Sequence, residues 1–157
     1  MKITLLLIGK TDDSNIKQAI EGYEKRLKHY ISFEMQVIPD VKNAGKMNAL
    51  ELKEREGEMI LKAVKPSDYL VLLDDKGKQL SSMEYSKHLQ KCMNAGMRNI
   101  VFVVGGAFGF SEQVYKHAEM QLSLSRMTFT HQMVRLFFME QTYRAFTILK
   151  GESYHHE

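Results

Sequence analysis

The stretch LSLSRMTFTHQMVRLFFMEQTYRAFTILKGESYHHE, Leu122 to Glu157, decides how the rest of the chain is read. It opens like a strand, passes through a short polar turn and enters a long apolar helix. The helix carries Arg135, Glu140 and Arg144, and ends in a polar tail of Tyr154, His155 and His156. Apolar residues fill almost every other side of it: Met133, Val134, Leu136, Phe137, Phe138, Met139, Ala145, Phe146, Ile148 and Leu149. A helix that is apolar nearly all round belongs in an interior. In a chain of 157 residues this argues that a second subunit covers part of it, and a two-fold dimer is the commonest arrangement. His131 and Arg135 fall one turn apart on a shared face, and Glu140 and Arg144 make another pair at helical spacing. For Glu140 and Arg144 a structural ion pair and a functional one are both open. His131 and Arg135, beside a Ser/Thr-rich turn, read as functional.

Upstream lies NIVFVVGGAFGFS, Asn99 to Ser111: an apolar strand fit for the centre of a sheet, a glycine-rich turn, then a helix start. Gly105, Gly106 and Gly109 allow a sharp turn and close approach of a ligand to the backbone. Ligands in α/β sheets favour the carboxyl ends of strands, where this turn sits. The spacing is GGxxG, not GxGxxG, and no GxxxxGK[ST] occurs, which argues against nicotinamide and phosphate-loop sites. A tight turn without ligand and a backbone site for an adenosine-like ligand both stay open. Asp74-Asp75, after the strand Tyr69 to Leu73, offers paired carboxylates for Mg²⁺ or acid–base work. With Lys76-Gly77-Lys78 following, an exposed turn is the more economical reading. HExxH and CxxC spacings are absent, and His155-His156 in a tail is not a site by itself, so no metal is expected.

Further out, strands and helices alternate. A strand is expected over Lys2 to Ile8, and a helix follows from a cap at Ser14 to about Tyr30, with Ile16, Ile20, Tyr23 and Leu27 on one face. A strand over Phe33 to Ile38 should turn Phe33, Met35 and Val37 to one side. A helix over Asn48 to Val64 should bury Leu50, Leu61 and Val64, with Gly57 in the middle of that face. Gly at such a place costs about 1 kcal/mol against Ala, which signals close approach of another backbone or a ligand. A capping box, Ser81 to Glu84, starts a helix that ends near Gly96. Another helix begins at Ser111, a strand covers Glu119 to Leu124, and the last helix starts near Thr130. The alternation predicts one α/β domain over residues 1–157, a sheet with helices on both faces.

Composition excludes little. With 44% hydrophobic and 26% charged residues, the chain has the balance of an ordinary soluble globule, and no apolar run is long enough for a bilayer. MKITLLLIGK reads as a strand rather than a signal peptide. The single cysteine, Cys92, has no internal disulfide partner, so a reducing cytoplasm is the expected home. A net charge of +3, with acids and bases interleaved, permits a nucleic-acid partner without indicating one.

GGAFGFS, followed by the whole stretch from Leu122, resembles the signature of the SPOUT-superfamily RNA methyltransferases. The closest resemblance is to the family that methylates N3 of a pseudouridine in large-subunit ribosomal RNA. It extends from MKITLLLIGK through KEREGEMIL and LLDDKGKQLSS to the end, and is specific in the combination LS-x-MT-x-x-H-x-x-x-R, EQ-x-YRA and a terminal YH. The resemblance implies an α/β fold, a mostly parallel sheet flanked by helices, with a C-terminal trefoil knot; patterning alone would draw a flavodoxin-like sheet, because chains seldom thread loops. It also implies S-adenosylmethionine as cofactor, ribosomal RNA in the ribosome as partner, and a homodimer, with neither membrane nor metal. Carried over by position, the cofactor contacts are Leu73, Gly105, Leu124, Ser125, Arg126, Met127, Thr128 and Phe129. For catalysis, Arg135 is expected to face the substrate, with Arg144 a further anion or phosphate contact. His131 or His155 is expected to remove a proton, and the Tyr154–His155 tail to reach the target base. Thr130 stands where many relatives carry Pro, which loosens the turn but lets Thr cap the helix. Two rivals remain: a non-enzymatic ribosome- or RNA-binding protein of the same fold, and a flavodoxin-like or nicotinamide enzyme.

Overall fold

Side chains alternate across the strands so that both faces of the sheet are apolar, and this dictates a layer of helices on each side. The computed structural model describes residues 1–157. In chain order it contains β1 (Lys2–Ile8), α1 (Ser14–Leu27), β2 (Ser32–Ile38), a short turn of tight helix (Ala44–Lys46), α2 (Ala49–Ala63) and β3 (Tyr69–Gln79). Then follow α3 (Ser82–Asn94), β4 (Asn99–Val104), α4 (Glu112–His117), β5 (Met120–Ser123) and α5 (Met133–Leu149). The five strands form one sheet in the order β2-β1-β4-β3-β5, and every pairing is parallel. β4 is central, as its unbroken apolar run predicts.

Ile3, Leu5 and Leu7 of β1, Ile100, Phe102 and Val104 of β4, and Val71 and Leu73 of β3 face one layer. There they meet Ile20 and Leu27 of α1, Leu89 of α3, and Phe138, Met139 and Phe146 of α5. The alternate residues, among them Leu6, Ile8, Leu70, Leu72, Val101 and Val103, face Ile60 of α2 and Val114 of α4.

Local chemistry sets the helix starts. Asn48 and Ser111 accept amide hydrogens from Glu51 and Val114, and Ser81 with Glu84 forms the expected capping box. The cap of α1 is Asp13 rather than Ser14; its carboxylate accepts from the amides of Asn15 and Ile16. α5 becomes helical only at Met133, but Thr130 Oγ1 does accept from the Met133 amide at 3.1 Å.

Two apolar faces differ from expectation. On β2, an edge strand, Phe33 and Ile38 are buried while Val37 is exposed, because the edge is covered along only part of its length. On α2 the buried residues are Glu56, Gly57 and Ile60, whereas Leu50 is 61% exposed. Leu61 and Val64 pack against the core and Gly57 is buried on that face as expected, but Leu50 stays outside it and Glu56 turns inward.

β3 runs past the expected end at Leu73. Leu73 and Lys78 both stand opposite Leu122 of β5, so residues 74–77 are looped out of the ladder. That excursion places two acids at the carboxyl edge of the sheet.

Candidate active site

A cavity of about 430 Å³ opens at the carboxyl ends of β3, β4 and β5. Three pieces of chain enclose it. Leu73, Asp74 and Asp75 come from the end and excursion of β3; Val104, Gly105, Gly106, Ala107, Gly109 and Phe110 come from the turn after β4. The third wall is the loop between β5 and α5, with Leu124, Ser125, Met127, Thr128, Phe129, Thr130 and His131, closed by Leu122 and Val134. Of the eight positions expected to hold a cofactor, seven therefore line one cavity. Arg126 is the exception; it lies in the same loop without contributing to the lining.

Each wall is held by its own polar contacts. Ser125 accepts from the Met127 amide at 2.9 Å, and the Ser123 hydroxyl donates to the Ser125 carbonyl at 2.8 Å, so the loop is folded on itself. Thr128 Oγ1 donates to Asp75 at 3.4 Å, linking that loop to the β3 excursion. The Tyr115 hydroxyl donates to Asp74 across a very short hydrogen bond. Burial, and then the neighbouring Asp74, push the Tyr115 pKa up to about 12, so the phenol stays a donor. The turn after β4 closes through the Gly109 amide and the Gly106 carbonyl, 3.2 Å apart, with Gly109 at φ +81°.

His131 lines the cavity and is exposed, as a residue at its mouth must be. Arg135 does not meet the expectation that it faces the substrate. It is 0% exposed, and its guanidinium donates to the carbonyls of Ile8 at 2.9 Å, Gly9 at 3.0 Å and His131 at 2.9 Å, and to Thr11 Oγ1 at 3.1 Å. Burial lowers its pKa while Asp12 and Asp40 act in the opposite sense. One turn earlier, Gln132 accepts from the Asp12 amide and donates to the Lys10 carbonyl. Arg135 and Gln132 thus clamp the start of α5, and with it the cavity loop, onto the β1–α1 connection.

The tail is placed elsewhere. Glu140 and Arg144 form a salt bridge at 2.5 Å. Onto it fold Tyr154, whose hydroxyl donates to Glu140 at 3.0 Å, and His155, whose Nδ1 lies 3.3 Å from Arg144. The Arg144 guanidinium also sits 4.7 Å from the centre of the Tyr154 ring. Desolvation, followed by hydrogen bonds with Tyr23 and Glu140, raises the Tyr154 pKa. His155 and His156 line a shallow recess with Met83, Ile148 and Gly151, which shares no residue with the main cavity.

Asp74 and Asp75, read from sequence as an exposed turn, both line the cavity; Asp75 is exposed as expected and Asp74 is half-buried. Their signal was present: two acids directly after an apolar strand, at the end of the sheet where α/β ligands bind. The looped-out register that brings them to the cavity has no sequence marker.

A family model described as "Predicted SPOUT methyltransferase" matches residues 1–155. The chain belongs to the SPOUT methyltransferase family. Curated relatives match it over its whole length. One from Parabacteroides distasonis is 58% identical over 157 residues, covering all of both chains. Another from Christiangramia forsetii is 54% identical over 156 residues, 99% of each chain. A third, from Flavobacterium psychrophilum, is 53% identical over 157 residues, all of both. Each of the three is named "Ribosomal RNA large subunit methyltransferase H".

Proposed function

We propose that the chain is an S-adenosylmethionine-dependent methyltransferase of large-subunit ribosomal RNA, acting on N3 of a pseudouridine, in the cytoplasm. The observation that carries this reading is the convergence on one cavity of Leu73, Gly105, Leu124, Ser125, Met127, Thr128 and Phe129. The full-length likeness to proteins named for ribosomal RNA methylation supplies the substrate class. Residues 1–157 work on this reading as one methyltransferase domain. A C-terminal trefoil knot is part of it, supported by the way the loop after β5 is tied to β3 through Thr128 and Asp75 before α5 returns to the β1–α1 connection.

The lining fits such a cofactor. Apolar Leu73, Leu124, Phe129 and Val134 suit an adenosine and a thioether carbon chain. The glycine turn offers backbone groups at close range, and Asp74 and Asp75 place negative charge beside a cationic ligand. S-Adenosylmethionine, when bound, supplies a methyl group on a positively charged sulfur. The chain's residues orient that group, exclude water with the apolar walls and hold the target ring in line with it. To accept that group N3 would have to give up its proton, and the lining residues would hold the ring for the exchange. His131, at the cavity mouth, takes that proton. Arg135 serves by fixing the loop.

The protein acts as a homodimer, in which the Tyr154–His155 tail and Arg144 meet the RNA at the partner's cavity. What supports this is the tail's own fixed position: it is bound to Glu140 and Arg144, in a recess separate from the cavity of its own subunit.

Incubating the purified protein with labelled S-adenosylmethionine and ribosomes from a strain lacking the gene tests the whole reading. Label in one large-subunit fragment, mapped by mass spectrometry to N3-methylpseudouridine, is expected. Ribosome binding without methyl transfer would favour the non-enzymatic alternative instead.

A further inference from the structure

The one buried carboxylate of α2 stands directly behind the glycine turn. Glu56 is 6% exposed, and none of the salt bridges in the structure includes it. A Cβ placed on Gly106 would lie 2.3 Å from Glu56 Oε1 and 2.6 Å from Oε2, so the carboxylate occupies the space that any side chain at 106 would need. Gly106 lines the cavity on its other side.

Glu56 is carried there by its neighbour. A Cβ on Gly57 would meet Ser111 Oγ at 2.4 Å and Val114 Cγ2 at 3.1 Å, so only a glycine lets α2 lie this close to α4. The pair Glu56-Gly57 therefore brings a carboxylate up to the back of a turn whose front lines the cavity. Burial raises the pKa of that carboxylate, while the adjacent Gly106 backbone acts in the opposite sense and Asp40 adds to the rise. A buried charge without a cation is unfavourable for folding, and a glutamine of the same shape would fill the same space with less desolvation. Groups that weaken a fold beside a binding site mark a functional demand.

We infer that Glu56 is a positioning residue for the cofactor: its carboxylate, against Gly106, holds the glycine turn in the shape that lines the cavity. This rests on the methyltransferase reading above. A carboxylate attracts the positive ends of nearby backbone amides more strongly than a neutral group does, so the anion fixes the turn more firmly than a neutral side chain would.

Calorimetric titration of S-adenosylmethionine into the native protein, Glu56→Gln and Glu56→Ala, with melting temperatures at pH 7.5, tests the inference. Binding is expected to weaken roughly 10-fold in Glu56→Gln and roughly 100-fold in Glu56→Ala. The melting temperature of Glu56→Gln should equal or exceed the native one. Glu56→Gln binding within about twofold of native, or weakened only in step with a fall in melting temperature, overturns the positioning role. A native protein that does not bind S-adenosylmethionine overturns the methyltransferase reading itself, which separates the two failures.

Discussion

The guanidinium of Arg135 has five N–H groups, and hydrogen bonds to three carbonyls and one hydroxyl use four of them. Little donor capacity is left for a phosphate, and the side chain has no route to solvent. Its importance is nonetheless large, because it joins the end of β1 to the start of α5 across the chain. Removing it strands buried carbonyls, each of which carries a desolvation penalty of roughly 1–3 kcal/mol. Arg135→Ala should lower the stability by about 3 kcal/mol, read from urea unfolding, and should weaken cofactor binding through the loosened loop. A variant of native stability that binds cofactor but transfers no methyl would restore the substrate-facing role.

At the scale of the element, α2 and α4 meet across Gly57. In an exposed helix, Gly→Ala stabilises by about 1 kcal/mol. Here the added methyl would enter the Ser111 hydroxyl that caps α4, and the sign reverses. Gly57→Ala should destabilise by about 1–3 kcal/mol in urea unfolding, as overpacked sites do. In Gly57→Ala/Ser111→Ala the loss should be only partly recovered, since the cap is then missing. A stabilised Gly57→Ala would show that α2 can move away from α4 freely. The helix pattern at α5 illustrates another rule. Its inward side is filled by Phe138, Met139, Ala145 and Phe146, while Phe137 remains 39% exposed and stacks on Phe129 with ring centres 4.6 Å apart.

For the whole molecule, that outward side of α5 matters most. Met127 and Phe129 line the cavity, Met127 is 78% exposed, and Phe129 stacks on the exposed Phe137, so an apolar patch links the cavity wall to the helix. The proposed dimer covers it. Phe137→Asp should convert a dimer, measured by light scattering during gel filtration, into a folded monomer. Methyl transfer to ribosomes should then fall at least 10-fold, since the tail no longer meets a partner's cavity. A chain ending after Gly151 should remain dimeric, keep cofactor binding and lose transfer to a similar degree. Native activity in that truncated chain would remove the tail from the mechanism.

The sequence by itself determined the element order, the central place of β4, the capping box of Ser81 and Glu84, the helix starts at Asn48 and Ser111, and the segments that surround the cavity. These are local properties: periodicity, turn chemistry and side chains that bond within a few residues of themselves. Seven of the residues that the family motifs named line one cavity, because those residues are consecutive or end a strand. Tertiary structure alone decided what the isolated polar residues do. Arg135, an arginine on a helix near a polar loop, reads as a substrate contact until the carbonyls of Ile8 and Gly9, over a hundred positions away in the chain, take its hydrogens. Asp74 and Asp75 read as a solvated turn, and Asp75 does remain exposed, but a shift in the β3–β5 ladder brings both to the cavity wall. Glu56 reads as one acid among many until α2 packs on α4. A charged side chain carries no local mark of whether water or the protein will satisfy it, and that choice is made only when distant segments meet.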